Sequence, residues 1–309
     1  EDGKKDFVRE LTRKCFVNGI RIKNVQHLSK KNGRNAIVFQ ARTVGRSCVA
    51  AKKVVPVLTE VLRSGYYPDD SNRRIINEEY HQYIFIQEDR FKLLSGVARM
   101  NKGKSHFNGD NFLISRLECG KAIAAIADGM GSGKRAYIES RMVIELMENC
   151  IDAGFDEKAS IDLINSAYIA GGGTGNPVTM DMSVIDCQSG YMHCMKLGAV
   201  STFIRRDKWV EIIQSTTLPM GVLEQVDYDC TTKKLYDGDY IVMVSDGVLD
   251  NIPCVNKEER MAQMIHALTI REPSAMAEKL LEQSLAYNDM KASDDCTVLV
   301  LGLFDTYEK

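Results

Sequence analysis

No stretch of this 309-residue chain approaches the ~18 consecutive apolar residues of a membrane-spanning helix, so the sequence predicts a soluble, cytoplasmic chain. It has no excess of charge either. A net charge of -2 leaves no basic footprint and argues against nucleic acid as a partner. The nine cysteines contain no C-x-x-C pair and are odd in number, which predicts reduced, mostly buried thiols. A cysteine phosphatase is excluded as well. After His193-Cys194 such an enzyme needs an arginine six positions past the cysteine to hold the phosphate, and that position is Val200. There is no internal repeat and no low-complexity tract. The initiator methionine is also missing, and the first six residues, EDGKKD, are all charge and glycine. That reads as a fragment or processed product, which leaves room for membrane segments upstream.

What is present falls into two textures. Before about residue 90 the chain is basic and helix-rich. A short amphipathic helix follows Pro56 and ends at Gly65, and two strands, 35–43 and 47–54, join at Gly45. From about residue 90 the pattern becomes sheet-like. Strands are predicted at 91–99, 111–117, 121–127, 180–186, 191–197, 200–206, 208–214, 226–235, 239–245 and 296–304. Helices are predicted at 135–154, 157–169, 257–269 and 274–287. In the first of these Ile138, Met142, Leu146 and Cys150 recur every four residues. The 180–245 region has no helix between strands, which excludes a doubly wound parallel sheet. Two antiparallel sheets with helices outside fit better.

Three acids sit where a strongly apolar strand meets solvent. "AIAAIADG" ends at Asp128-Gly129, "YIVMVSDG" ends at Asp246-Gly247, and Asp294-Asp295 opens the last strand. A fourth, Asp110, precedes the strand that pairs with 121–127 through a short turn, so the hairpin brings Asp110 and Asp128 to one end. Any single Asp-Gly can be a plain turn, as Asp237-Gly238-Asp239 is expected to be. Asp181 is expected to face outward on an alternating strand. Several convergent carboxylates repel one another unless a divalent ion lies between them, and oxygen-only ligands favour Mg²⁺ or Mn²⁺.

"DGMGSGKRA" (128–136) also invites a phosphate-loop reading, which fails twice. The first glycine of that motif is Asp128, and the hydroxyl residue after the lysine is Arg135. This disfavours a nucleotide-binding ATPase. Gly129 and Gly131 are better explained by a sharp turn after the strand. The glycine run at 171–177 follows a helix, carries no lysine and reads as a flexible connection.

Taken together, Asp-Gly-Met-Gly, Ser-Asp-Gly-Val and Asp-Asp-x-Thr at strand ends resemble the metal-dependent serine/threonine protein phosphatases, the PPM or type 2C class, over about 91–305. "GVARMNKG", "NGDNF" and "ADGMGSGKRA" are more similar to its sporulation members. So are "RTVGRSCVAAKKVVPVL" and "NRRIINEEY" upstream. The resemblance implies an α+β fold: an α/β/β/α sandwich over 91–309, preceded by a small α/β regulatory and oligomerisation region over 1–90. It implies a binuclear Mn²⁺ or Mg²⁺ centre with Asp128 bridging, the Gly129 carbonyl on one metal, and Asp246 and Asp294 on the other. Asp110 matches an acid that holds metal-bound water. Asp128, Asp246 and Asp294 carry the catalysis, in which a metal-activated water attacks phosphorus in line. The implied substrate is a phosphorylated anti-anti-sigma factor, whose dephosphorylation activates the first forespore sigma factor. Implied too are a homo-oligomer formed through the N-terminal region, contact with cell-division septum proteins, and membrane anchoring of the full-length relatives at the sporulation septum. The alternative is a catalytically silent scaffold of the same fold in septum-linked assembly, and the intact acids argue against it.

Overall fold

The computed structural model describes residues 2–29, 34–103, 106–117, 120–131, 133–170, 176–207, 209–225 and 227–306. They divide into two units, with the break at Arg90 and Phe91. Residues 171–175 of the glycine run lie outside the described residues.

In the first unit, α1 (Asp2–Val17) precedes a hairpin of β1 (Ile20–Ser29) and β2 (Asn35–Thr43). After β3 (Val49–Ala50) come α2 (Val55–Leu62), β4 (Tyr66–Pro68), β5 (Ile75–Ile76) and β6 (His81–Gln87). An antiparallel sheet runs β1-β2-β6-β4, and β3 pairs with β5 apart from it. Alternate residues Ile37 and Phe39 of β2 and Tyr83 and Phe85 of β6 meet Leu11 and Cys15 of α1 and Leu58 of α2. The rings of Phe39 and Phe85 stack at 5.4 Å. Of the expected strand at 47–54 only Val49–Ala50 is present. Ala51–Val54 forms a 3-10 turn leading straight into α2, with Pro56 in its first turn. Ala51 and Val54 are the buried pair there, and a three-residue spacing suits a 3-10 turn rather than a strand.

The second unit begins with β7 (Phe91–Met100), β8 (Asp110–Arg116) and β9 (Lys121–Gly129), followed by α3 (Lys134–Asp152) and α4 (Glu157–Ala170). Then come β10 (Val178–Asp186), β11 (Tyr191–Leu197), β12 (Thr202–Arg206), β13 (Trp209–Ile213), β14 (Asp229–Lys234) and β15 (Tyr240–Val244). Helices α5 (Asp246–Asp250), α6 (Lys257–Ala267) and α7 (Pro273–Leu285) precede the last strand, β16 (Cys296–Asp305). Two five-stranded antiparallel sheets result, β14-β11-β10-β9-β8 and β13-β12-β15-β16-β7. Ala124, Ile126, Ile185 and Met192 of the first sheet pack on Ile204, Met243, Leu299 and Leu301 of the second. The outer face of the second sheet, with Val242, Val298 and Val300, is covered by Met261 and Ile265 of α6 and Met276 and Leu280 of α7. Helix α3 lies over β8 and β9. The expected α/β/β/α sandwich is therefore present.

The four-residue stripe on α3 is not its buried face. Ile138 and Met142 are exposed, and burial falls on Ala136, Glu139, Ser140, Val143 and Met147. Steps of four drift by about 40° each around a 3.6-residue helix, whereas the steps of four, three and four from Ala136 to Met147 hold one line. The inward face is small and polar only at its start, at Ala136, Glu139 and Ser140, where it meets backbone at the sheet ends; Val143, Ile144 and Met147 continue it as apolar residues.

Candidate functional site

Asp110 opens β8 and Asp128 lies one residue before the end of β9, and the two are register partners. Directly opposed residues of an antiparallel pair share a face, so the hairpin alone sets the two carboxylates side by side. Asp110 is 1% exposed, and neither of its carboxylate oxygens has a hydrogen-bond partner among the described residues. Burial pushes its pKa upward. The nearby hydroxyls of Thr297 and Ser245 moderate that rise, and the charges of Asp246 and Asp295 add to it. Asp128 is pushed up further, first by burial and then by the charges of Asp110, Asp246 and Asp294.

The second sheet brings the other acids. β15 runs out at Val244, and Asp246 opens α5 just past Ser245. Ser245 is tied to the neighbouring strand: its N–H donates to the Thr297 carbonyl, and its hydroxyl accepts from the Thr297 N–H at 2.9 Å. Burial raises the Asp246 pKa, the Gly247 N–H lowers it, and Asp250 and Asp294 raise it again.

The adjacent acids of the last motif have different surroundings. Asp295 is buried, and its two oxygens accept from the backbone N–H groups of Lys102 and Gly109, each at 2.7 Å. It thereby fastens the loop that leads to Asp110. The Asp294 side chain is 43% exposed and accepts from the Asp295 N–H and, at 3.4 Å, from Lys102 Nζ. Of the two, Asp294 has a carboxylate open to a ligand.

Gly129 stays in the strand instead of making the turn. A side chain is excluded there by α3, since a Cβ would meet the Ala136 carbonyl oxygen at 2.4 Å. The turn falls at Gly131, with φ 111°. Helix α3 also holds the other strand of the hairpin. The Ser140 hydroxyl donates to the Gly109 carbonyl, and Asn111 Nδ2 donates to Ser140 Oγ and to the Tyr137 carbonyl.

Three residues bear on the site without having been placed in it from the sequence. Arg99 donates from Nη2 to the Asp110 backbone carbonyl and from Nε to Thr297 Oγ1, and it lies over the Phe112 ring. It puts a cation against the acid cluster. Asp181 does not face outward: it is 2% exposed and paired with Lys196, itself 1% exposed. Asp181 also lines a cavity of ≈ 60 Å³ together with Asp128, Thr179, Ala199 and Asp246. Two adjacent strands each carrying a charge at matched positions could have signalled this pair.

Among the described residues no three His, Cys, Asp or Glu side chains converge on one point where an ion could sit. What the structure brings together is the Asp110–Asp128 pair, with Asp246 and Asp294 adding charge from the flanks. The chemistry still fits a divalent cation. The donors are all oxygen, both Asp110 oxygens are unpartnered, and the carboxylates raise one another's pKa, which positive charge between them would relieve. The thiol in the His-Cys pair offers no alternative nucleophile, because burial pushes Cys194 up to about 12.

The family model described as Stage II sporulation protein E (SpoIIE) matches residues 119–304. Stage II sporulation protein E of Bacillus subtilis (strain 168) is 29% identical over 286 residues, which is 92% of this chain and 34% of that protein. The chain thus spans about a third of that relative's length. The solved structure of the PP2C phosphatase domain and a fragment of the regulatory domain of the cell fate determinant SpoIIE from Bacillus subtilis superposes with a TM-score of 0.75 at 27% identity, covering 98% of this chain and 92% of that one. RsbX, solved in complex with magnesium, shares the fold at 20% identity and a TM-score of 0.54, over 70% of this chain and 97% of its own. With a family model matched over more than half its length, this chain belongs to the Stage II sporulation protein E family, and its second unit is a PP2C-type phosphatase domain.

Proposed function

We propose that the chain is a metal-dependent protein serine phosphatase whose substrate is a phosphorylated anti-anti-sigma factor, dephosphorylated to activate the first forespore sigma factor. One observation carries the reading. Asp110 and Asp128 are held in register at the sheet ends and repel each other, Asp110 buried with both oxygens unpartnered among the described residues and Asp128 half-buried beside it. A pair of carboxylates so placed is costly to the fold unless a cation belongs there. Asp110, Asp128, Asp246, Asp294 and the Gly129 carbonyl would hold Mn²⁺ or Mg²⁺, and the magnesium found with RsbX supports that choice. Bound there, the cations supply the positive charge that acidifies water and neutralises phosphoryl oxygens.

The protein's own residues supply the frame. Asp295 holds the backbone at Lys102 and at Gly109 through their N–H groups, and so braces Asp110. Arg99 binds the Asp110 carbonyl and offsets part of the negative charge. Asp294 stays open to solvent, where a phosphorylated chain can approach.

Family membership supports the substrate assignment. The same membership supports a homo-oligomer formed through the first unit and, for full-length relatives, membrane attachment at the sporulation septum beside cell-division proteins. The test is release of phosphate at millimolar Mn²⁺ from a generic phosphoester and from the phosphorylated anti-anti-sigma factor, with Asp128→Asn alongside. Turnover of both substrates that Asp128→Asn abolishes is expected. Turnover of the small ester alone would remove the substrate assignment, and turnover unaffected by Asp128→Asn would remove the site.

A further inference from the structure

Beneath the acids lies a charged cluster that the phosphatase reading does not use. Asp181 and Lys196 are register partners on β10 and β11, on the face turned toward the second sheet. Lys196 Nζ lies 2.6 Å from Asp181 Oδ2 and donates to the Val200 carbonyl, also at 2.6 Å. Thr202, on β12 of the second sheet, donates its hydroxyl to the same Asp181 oxygen. Polar bonds therefore join the two sheets in a layer otherwise filled by side chains such as Ile126, Ile204 and Met243.

A fully buried ion pair is a poor source of stability. Desolvation of two charges offsets their attraction, and an apolar pair of similar volume often does as well or better. What hydrogen bonds add is direction, and the surroundings give that direction a use. Asp181 is two residues along β10 from Thr179, the register partner of Asp128, so the two share its face. At the other end of the cluster, the carbonyl held by Lys196 belongs to Val200. Gly198, Ala199 and Val200 form a wall of the cavity that Asp128 and Asp246 also line. The Thr217 hydroxyl braces this wall from behind, accepting from the Gly198 N–H and donating to the Lys196 carbonyl.

We propose that Asp181, Lys196 and Thr202 are positioning residues for the acidic site. The cluster sets the separation between the sheet that carries Asp128 and the sheet that carries Asp246, and so sets the spacing of the carboxylates that share a cation. The inference rests on the phosphatase reading, and its test separates the two.

The experiment uses the full chain, with Asp181→Leu/Lys196→Met and, separately, Thr202→Val. The double variant removes one negative and one positive charge together, so a change in Mn²⁺ affinity reports geometry and not net charge. Three quantities are read: the thermal midpoint, Mn²⁺ affinity from the electron paramagnetic resonance signal of the free ion, and kcat and KM on a generic phosphoester. The double variant is expected to melt at or above the wild-type temperature yet bind Mn²⁺ about 10-fold more weakly, with kcat lowered to a similar extent and KM little changed. Thr202→Val, which keeps the ion pair, is expected to shift Mn²⁺ affinity and kcat in the same direction by about threefold, in the manner of a supporting contact. Wild-type Mn²⁺ affinity and kcat in both variants would overturn the proposal. If the double variant does not fold, Thr202→Val decides alone. A wild-type chain that binds Mn²⁺ but cleaves no phosphoester would count against the phosphatase reading, while the ratio of Mn²⁺ affinities would still decide this one.

Discussion

A side chain on Gly129 would collide with the backbone of Ala136: an added Cβ falls 2.4 Å from the carbonyl oxygen and 2.9 Å from the Cα. The strand that carries Asp128 and the helix that follows it thus touch backbone to backbone, one residue past the acid. The contact is possible because α3 turns Ala136 and Ser140 inward and leaves the larger Ile138 and Met142 outside. Any displacement of α3 is then transmitted to the end of β9 with little side chain to absorb it.

Gly129→Ala should therefore impair both stability and activity. The added methyl meets backbone, which cannot swing aside, so either α3 or the strand end must move. Overpacking of this kind costs about 1–3 kcal/mol. Displacement of a reacting group by an ångström can cost roughly 100-fold in rate. Thermal melting and Mn²⁺-dependent phosphate release, measured together, check this. A lowered melting temperature with full turnover would show that the helix yields and Asp128 does not.

The sheet architecture and the placement of Asp110, Asp128, Asp246 and Asp294 at strand ends were legible in the sequence because both depend on local pattern. Apolar runs of five to nine residues ended by Asp-Gly place a strand end and an acid at once, and the close spacing of the two strands in sequence sets them as antiparallel neighbours, with Asp110 opposite Asp128. The inward face of α3 was not legible. It is chosen by the need to lie against the backbone of Gly129 and Gly109, and no periodicity of apolar residues reports that. Asp181 was misread for a related reason. An acid on an alternating strand ordinarily marks the solvent face, and only a partner two strands' length away in sequence, Lys196, makes burial tolerable. The 3-10 turn at Ala51–Val54 escaped because four residues carry too little pattern to separate it from a strand.

The adjacent acids Asp294 and Asp295 should respond oppositely to the same substitution. Asp295→Asn keeps one acceptor but turns an N–H toward one of the two backbone donors it now serves, Lys102 or Gly109. A buried donor left without its acceptor costs about 1–3 kcal/mol, so the melting temperature should fall. Asp294→Asn sits at a half-open position and should leave melting unchanged while weakening Mn²⁺ binding, measured by calorimetric titration of the metal-free protein. Equal loss of stability in the two variants would contradict the division of roles.

The pH dependence of the cation-free protein should run opposite to that of most proteins with paired carboxylates. The folded-state pKa values of Asp110, Asp128 and Asp246 are all raised, first of all by burial. Unfolded carboxylates titrate near ~4. Above that value, and up to the raised folded values, the folded chain binds more protons than the unfolded one, so stability falls as pH rises. Cation-free protein should therefore melt lower at pH 8 than at pH 5.5 on account of these groups. Asp128→Asn removes one of them and should flatten that slope. Mn²⁺ stabilises the ionised carboxylates and competes with the protons, so the rise in melting temperature on adding Mn²⁺ should be small at pH 5.5 and larger at pH 8. Melting curves at the two pH values, with and without Mn²⁺, for the wild type and Asp128→Asn contain the whole test. A Mn²⁺-induced shift that did not grow with pH, or one kept in full by Asp128→Asn, would place the cation somewhere other than among these acids.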